Sequence, residues 1–117
     1  MNPGDLVRWS FPQADGKSKA RPAILLLRFE LHGDWLACGV STSLGLFMDG
    51  LDILIDEDHP DFGSMELPRP SLIRTGFLDT IPSKSIEGSF GKVRAETVRQ
   101  LRGNLAERLL RVEDLAL

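Results

Sequence analysis

A short block of consecutive apolar residues, Arg21-Pro22-Ala23-Ile24-Leu25-Leu26-Leu27, restricts the fold more than any other segment. The block is too short and too uniformly apolar to be a surface helix, so it predicts a central strand that is buried on both faces. Pro22 falls among its first residues, where a strand tolerates proline. The sequence therefore predicts a sheet whose faces are both covered.

Other segments predict shorter strands around this block. In Leu6–Phe11 the apolar residues alternate, so that Val7, Trp9 and Phe11 share one face. Further strands are predicted over 35–42, 50–56 and 71–74, the last resuming at 77–78 after Gly76, and a short strand or bend over 86–93. Polar residues, with prolines in the second segment, predict loops over 13–20 and 57–70.

The spacing of apolar residues changes near the C-terminus from the alternation of strands to that of a helix. Val98, Leu101 and Leu105 recur every three or four residues, which predicts an amphipathic helix over 95–111, although Ser, Thr and Asp are missing from its N-cap position. The predicted fold is mainly β with a C-terminal helix, a strongly bent sheet or small barrel. Its 117 residues fit one domain spanning 1–117.

Composition excludes several classes of protein. No apolar run approaches the roughly 20 residues of a membrane span, and the N-terminus has no signal-peptide pattern, so we expect a cytoplasmic protein without a membrane partner. The only cysteine, Cys38, cannot form an internal disulfide and is predicted to lie in the core.

Charge is distributed unevenly although the net charge is only −3. Residues 1–28 carry five basic and two acidic side chains, residues 29–66 carry nine acidic and no lysine or arginine, and residues 67–111 carry nine basic and four acidic. The two basic segments can form a positive face, or they can be solvated surfaces without a partner.

Most motifs of cofactor or metal chemistry are missing from the sequence. It has no Gly-rich phosphate loop and no His-Glu-x-x-His, so no metal site and no cofactor are predicted. Asp56, Glu57, Asp58 and Asp61 lack the spacing of a calcium loop and predict a solvated acidic loop. His32 and His59 are predicted to be surface residues.

Several motifs in order resemble the PemK/MazF growth-inhibitor family from about Gly4 to Leu110. The resemblance lies in Gly4-Asp5-Leu6-Val7, Arg21-Pro22, Val40-Ser41-Thr42-Ser43 and Ser71-Leu72-Ile73-Arg74 followed by Leu78-Asp79-Thr80-Ile81. It implies an SH3-like β-barrel that forms a homodimer and acts as a toxin held in check by an antitoxin protein. The implied activity is metal-independent cleavage of single-stranded RNA, in which the ribose 2′-OH attacks the adjacent phosphorus.

The resemblance also implies roles for individual residues. Arg21 matches the arginine that holds a phosphate, and Thr42 and Ser43 match hydroxyls that bind phosphate or position the 2′-OH. Arg74 matches an arginine that stabilises the transition state and helps to protonate the leaving group. From the residues alone, Arg21 could instead pair with Asp15 or Asp5, Thr42 and Ser43 could form a turn, and Arg74 could be a surface residue.

One departure from the family concerns the general base. Where one branch of the family has an acidic residue, two positions after the strand arginine, this sequence has Gly76, and a histidine that some relatives carry before Arg-Pro is also missing. Asp15 and Asp79 are the remaining candidates for the base, unless a base is absent. Lys17 and Lys19 are expected to add RNA contacts.

Three functions therefore stay open at this point. The first is an endoribonuclease toxin; the second is a catalytically weak or inactive barrel that binds RNA or a protein, which Gly76 and the net acidity favour. The third is a gyrase-directed toxin of the related barrel family, whose characteristic C-terminus the segment 112–117 does not resemble. We further expect the acidic segment 49–66 to shade part of the RNA groove.

Overall fold

The computed structural model describes residues 1–115. Its six strands are β1 (Asp5–Pro12), β2 (Ser18–Arg28), β3 (Trp35–Ser41), β4 (Ile53–Ile55), β5 (Ser71–Ile81) and β6 (Gly91–Lys92). Two α-helices, α1 (Phe62–Met65) and α2 (Ala95–Leu109), and 3₁₀ turns at Leu44–Leu46, Ser83–Ser85 and Val112–Leu115 complete the elements.

The strands form a single antiparallel sheet in the order β4-β5-β3-β2-β1-β6. The sheet curls into a half-barrel, and α2 packs against it. The prediction of a mainly β fold with a C-terminal helix is confirmed. None of the helices within residues 1–115 is long and apolar enough to cross a membrane.

The sheet buries a different apolar cluster on each face. On what we call the helix face, α2 contributes Val98 and Leu101 to a cluster with strand residues such as Ile24 and Ile73. On the opposite side, the open face, Val7, Phe11, Ala23, Leu25, Trp35, Ala37 and Ile81 form a second cluster, edged by Trp9, Phe77 and Ile86. Because β2 supplies both clusters, its apolar run has no polar alternation, and Cys38 is buried in the first cluster as predicted.

Several strands, and α2, begin or end at residues other than those predicted. β2 begins at Ser18, inside the predicted polar loop, because residues 18–22 pair with β1 in a hairpin. Pro22 lies opposite Arg8 of β1, and the ladder to β3 starts only at Ala23, so the missing N–H of Pro22 does not interrupt the pairing with β3. β3 ends one residue early, at Ser41, α2 ends at Leu109, and β4 and β6 are shorter than their predicted segments.

The segment predicted as an interrupted fifth strand is one continuous strand with a bulge. Gly39 of β3 pairs with Arg74, but the preceding Cys38 pairs with Leu78, so three residues of β5 have no partner in β3. Asp52 stabilises the bulge, because its Oδ1 accepts a hydrogen bond from the Thr75 amide at 3.1 Å. Gly76 therefore does not divide the strand.

Much of the acidic segment 49–66 packs on the helix face, but Asp52 reaches the β5 bulge next to Arg74, and the shading of part of the RNA groove by this segment stays a prediction. Ile53, Ile55 and Met65 are buried in the cluster that α2 covers. Asp61 was predicted to be solvated, yet its side chain is fully buried and bonded to Arg94 and Thr97. His59 is less exposed than predicted, because its Nδ1 accepts the Asp61 amide at 3.0 Å.

Candidate functional site

Two arginines meet over one aromatic ring on the open face. The guanidinium carbon of Arg21 lies 5.5 Å from the centroid of the Phe77 ring, and that of Arg74 lies 5.0 Å from it. Within residues 1–115 neither arginine forms an ion pair, and the buried Nε of Arg21 has no hydrogen-bond partner. The pairing of Arg21 with Asp15 or Asp5 is therefore not observed, and two positive charges are available to an anion.

The bulge in β5 carries Phe77 to this position. Phe77 stacks on Phe11 of β1 with ring centroids 4.8 Å apart, and it lies directly over Gly39 of β3. A Cβ atom at Gly39 would lie 2.7 Å from Cδ1 of Phe77, which is closer than real Cβ contacts. The absence of a side chain at Gly39 thus makes room for the ring that both arginines contact.

Replacing Gly39 by alanine is expected to displace Phe77 and the two guanidiniums. The overpacked methyl group should cost about 1–3 kcal/mol of unfolding free energy, measured by urea titration, and should also weaken the binding of a single-stranded RNA. Gly45→Ala is the matched control, because an added Cβ there meets no atom within 4 Å. Equal RNA affinity in Gly39→Ala and wild type would contradict this role of Gly39.

A carboxylate is bonded to the residue that pairs with Arg21. Asp79 of β5 accepts a hydrogen bond at 2.8 Å from the indole N–H of Trp9, and Trp9 pairs with Arg21 across β1 and β2. The other carboxylate oxygen of Asp79 accepts the Thr80 amide at 2.9 Å. These two bonds fix the carboxylate, and each oxygen retains lone-pair capacity for a further donor.

The other candidate base lies away from this group. Asp15 is exposed in the turn between β1 and β2, where it accepts the amide N–H of Lys17. Arg21 lies three residues beyond the start of β2 at Ser18, or roughly 10 Å along the strand. Lys19 pairs with Phe11, two residues before Arg21, while Lys17 remains in the turn. Of the two carboxylates, only Asp79 lies next to the partner of Arg21.

The hydroxyl buried on the open face is not one of the two that the sequence predicts to bind phosphate. Thr42 and Ser43 are exposed and follow the end of β3, and no bond joins them to Arg21 or Arg74. Ser41 is buried within β3 and its hydroxyl accepts the amide of Ser43 at 3.1 Å. Because alternate residues of a strand share a face, Ser41 lies on the same side as Gly39 and therefore on the open face.

Two further positions bear on the chemistry of the site. Gly76 is exposed in the bulge, and an added Cβ would lie 3.3 Å from Cδ2 of Leu51, so a side chain at this position requires Leu51 to shift by a few tenths of an ångström. Burial, with the charge of Asp52, raises the pKa of the Cys38 thiol to about 12, so this cysteine is not a nucleophile. His32 is exposed, as predicted.

Sequence reasoning missed three residues of the site: Phe77, Gly39 and Trp9. Trp9 and Gly39 were assigned to strands without a role, and Phe77 reaches the arginines only through the bulge, for which the sequence carries no clear signal. No three His, Cys, Asp or Glu side chains of residues 1–115 come together as a metal site.

Comparisons with known proteins match this chain by structure and not by sequence. No family model and no curated protein matches the sequence. The toxin MazF-mt6 of Mycobacterium tuberculosis superimposes with a TM-score of 0.60 over 92% of this chain and 96% of that protein, at 18% sequence identity. The resemblance to the PemK/MazF family is thereby confirmed for the fold.

Proposed function

Starting from the MazF-like fold of this chain, we propose that it is a metal-independent endoribonuclease that cleaves single-stranded RNA, the toxin of a toxin–antitoxin pair. The observation that carries the proposal is the pair of guanidiniums, Arg21 and Arg74, on the Phe77 ring. Because neither has an ion-pair partner in the described part of the chain, both can bind the oxygens of one phosphodiester.

The reaction needs a base, a positive charge at the phosphate and a proton for the leaving oxygen. The ribose 2′-OH loses its proton to a carboxylate, and its oxygen bonds to phosphorus as the bond from phosphorus to the 5′ oxygen breaks. The products are a 2′,3′-cyclic phosphate and a 5′-OH, whose proton comes from Arg74 or from water. Arg21 and Arg74 stabilise the added negative charge of the pentavalent phosphate, and the apolar floor around Phe77 strengthens that interaction.

Asp79 is the carboxylate that we propose as the base. The Trp9 indole N–H fixes its Oδ2, and Trp9 pairs with Arg21, so one residue of β1 links the proposed base on β5 to the phosphate-binding group on β2. Thr42 and Ser43 remain proposed contacts to the RNA backbone, together with Lys17 and Lys19 of the β1–β2 hairpin. Because these lysines bind phosphates, RNA affinity should fall steeply as salt rises.

Replacing Asp79 by asparagine is expected to lower the cleavage rate about 100-fold, since general base catalysis contributes at least that much. Asparagine keeps the size of the side chain and can still accept the Trp9 N–H. Asp15→Asn is the matched control and should cleave at the wild-type rate. If single-turnover assays show slow cleavage by Asp15→Asn and wild-type cleavage by Asp79→Asn, Asp15 and not Asp79 is the base.

Incubation of the purified protein with a long single-stranded RNA in EDTA tests the proposed function itself. We expect discrete fragments with 2′,3′-cyclic phosphate and 5′-OH ends. RNA that stays intact at low salt, in the presence of folded protein, would contradict the proposal.

A second candidate function is a barrel of the same fold that binds RNA or a protein and does not cleave RNA. Gly76 favours it, because this position bears no carboxylate two residues after Arg74. Tight RNA binding without cleavage would support this function instead.

We also propose that the protein forms a homodimer and meets an antitoxin in the cytoplasm. The antitoxin should carry an extended acidic segment, because the arginines of the open face and the lysines of the β1–β2 hairpin attract negative charge. Co-expression of such a partner should relieve growth inhibition.

A further inference from the structure

A cavity of about 600 Å³ lies along the outer edge of β1, next to the segment from Ser85 to Phe90. β6 pairs with β1 only at Asp5 and Leu6, so the β1 edge beyond these residues has no strand partner within residues 1–115. The cavity is lined by both faces of β1, with Arg8 and Ser10 on one face and Trp9 on the other.

The cavity combines opposite charges with aromatic rings. The Arg8 guanidinium carbon lies 5.9 Å from the centroid of the Phe90 ring, and the exposed Glu87 also lines the cavity. Among the described residues, neither Arg8 nor Glu87 forms an ion pair, with each other or with a third group. A carboxylate acceptor, a forked donor and the flat ring of Phe90 are therefore available to one ligand.

We propose that this cavity binds a guanine base of the RNA strand whose phosphate is held at Arg21; the inference rests on the proposed function. Guanine presents two adjacent donors, N1–H and the N2 amino group, to a carboxylate, and two adjacent acceptors, O6 and N7, to an arginine. Glu87 and Arg8 supply these complementary groups, and Phe90 offers a surface on which the base stacks.

The same groups discriminate against the other bases. Uracil has a single N–H between two carbonyl groups, so a carboxylate meets an acceptor on either side of it. Adenine and cytosine each place a ring-nitrogen acceptor beside the amino group, which repels Glu87. Guanine alone satisfies the carboxylate with two hydrogen bonds.

Trp9 connects the cavity to the candidate catalytic site. It lines the cavity, pairs with Arg21 in the adjacent strand, and donates its indole N–H to Asp79. Adjacent strands are about 4.8 Å apart, so a chain of nucleotides that passes Arg21 needs to cross only β1 to reach the cavity. The guanine therefore belongs to a nucleotide close to the scissile phosphate.

Binding of oligonucleotides that cannot be cleaved tests this site separately from catalysis. Nine-nucleotide strands with 2′-fluoro sugars lack the attacking hydroxyl; one contains only uracil, and the others carry guanine, inosine, adenine or cytosine at the centre. Fluorescence anisotropy at low salt in EDTA gives Kd. The guanine strand should bind about 10-fold tighter than the uracil strand, and inosine, which lacks the N2 amino group, should lose most of that gain.

Glu87→Ala should remove the preference for guanine and leave the affinity for the uracil strand unchanged. The matched control Glu30→Ala, which removes another exposed carboxylate, should keep the preference. Equal Kd values for guanine and uracil, an equal preference for adenine or cytosine, or a preference that survives Glu87→Ala would overturn the guanine site and leave the proposed RNA cleavage intact. No binding of any strand would overturn both.

Discussion

Arg21→Ala is expected to lower the rate of RNA cleavage about 1000-fold, the upper range for loss of one donor that stabilises a developing oxyanion. Arg21 and Arg74 contact the same Phe77 ring, so a phosphate that binds between them is stabilised by two positive charges in the wild type and by one in the variant. The loss should appear mainly in the single-turnover rate, because the pentavalent phosphate carries more negative charge than the substrate.

Single-turnover cleavage of a labelled RNA in EDTA measures this effect. Arg99→Ala is the matched control, since Arg99 is an exposed arginine of α2 and its loss changes the net charge equally. Arg21→Lys should recover little of the rate, because an ammonium group cannot make the two parallel bonds of a guanidinium. Cleavage by Arg21→Ala at the wild-type rate would remove Arg21 from the site.

Asp61→Ala is expected to reduce the free energy of unfolding by about 3 kcal/mol. The fully buried Asp61 carboxylate accepts bonds from the Arg94 amide and the Arg94 Nε, both at 3.0 Å, and from the Thr97 hydroxyl. Its removal leaves the Thr97 hydroxyl and the Arg94 amide without these acceptors. The partly exposed guanidinium of Arg94 regains water, so its share of the loss is small.

The contribution of Asp61 depends on pH with a definite sign. Burial alone would raise the pKa of Asp61, but the hydrogen bonds from Thr97 and Arg94 and the charge of Arg94 outweigh burial and lower it below the usual 3.8. The carboxylate therefore stabilises the folded state fully above the unfolded pKa. That stability is lost as the pH falls through the lower folded pKa.

Urea titrations at pH 7 and at two values below pH 4 measure both effects. The difference between wild type and Asp61→Ala should be largest at pH 7 and should narrow in acid. Asp58→Ala, which removes an exposed carboxylate of the same segment, is the control and should change stability by less than about 0.5 kcal/mol. A difference in unfolding free energy between wild type and Asp61→Ala that increases in acid would contradict the lowered pKa of Asp61.

The candidate site was predictable in part. The resemblance to the PemK/MazF family, and not the residues by themselves, pointed to Arg21 and Arg74, and the structure places both on the open face. The sequence left Asp15 and Asp79 as equal candidates for the base, because neither chain spacing nor composition tells which carboxylate lies beside Trp9. Thr42 and Ser43 were chosen by resemblance, whereas the buried hydroxyl on the open face is that of Ser41.

Periodicity and apolar content determined the type and order of the main elements. Alternation in Leu6–Phe11, the apolar block at 21–27 and the helical period after Ala95 all gave elements of the right type, because these patterns reflect which faces must be buried. The tertiary structure decided where the strands pair, and with them the β5 bulge that carries Phe77 to the arginines. It also anchored the start of α2: the helix has no capping side chain at Arg94, and the Asp61 carboxylate accepts the amide N–H of Arg94, the residue before the helix, from 33 residues away. Local sequence cannot encode such a contact, since the acceptor and the helix end meet only after the sheet has folded.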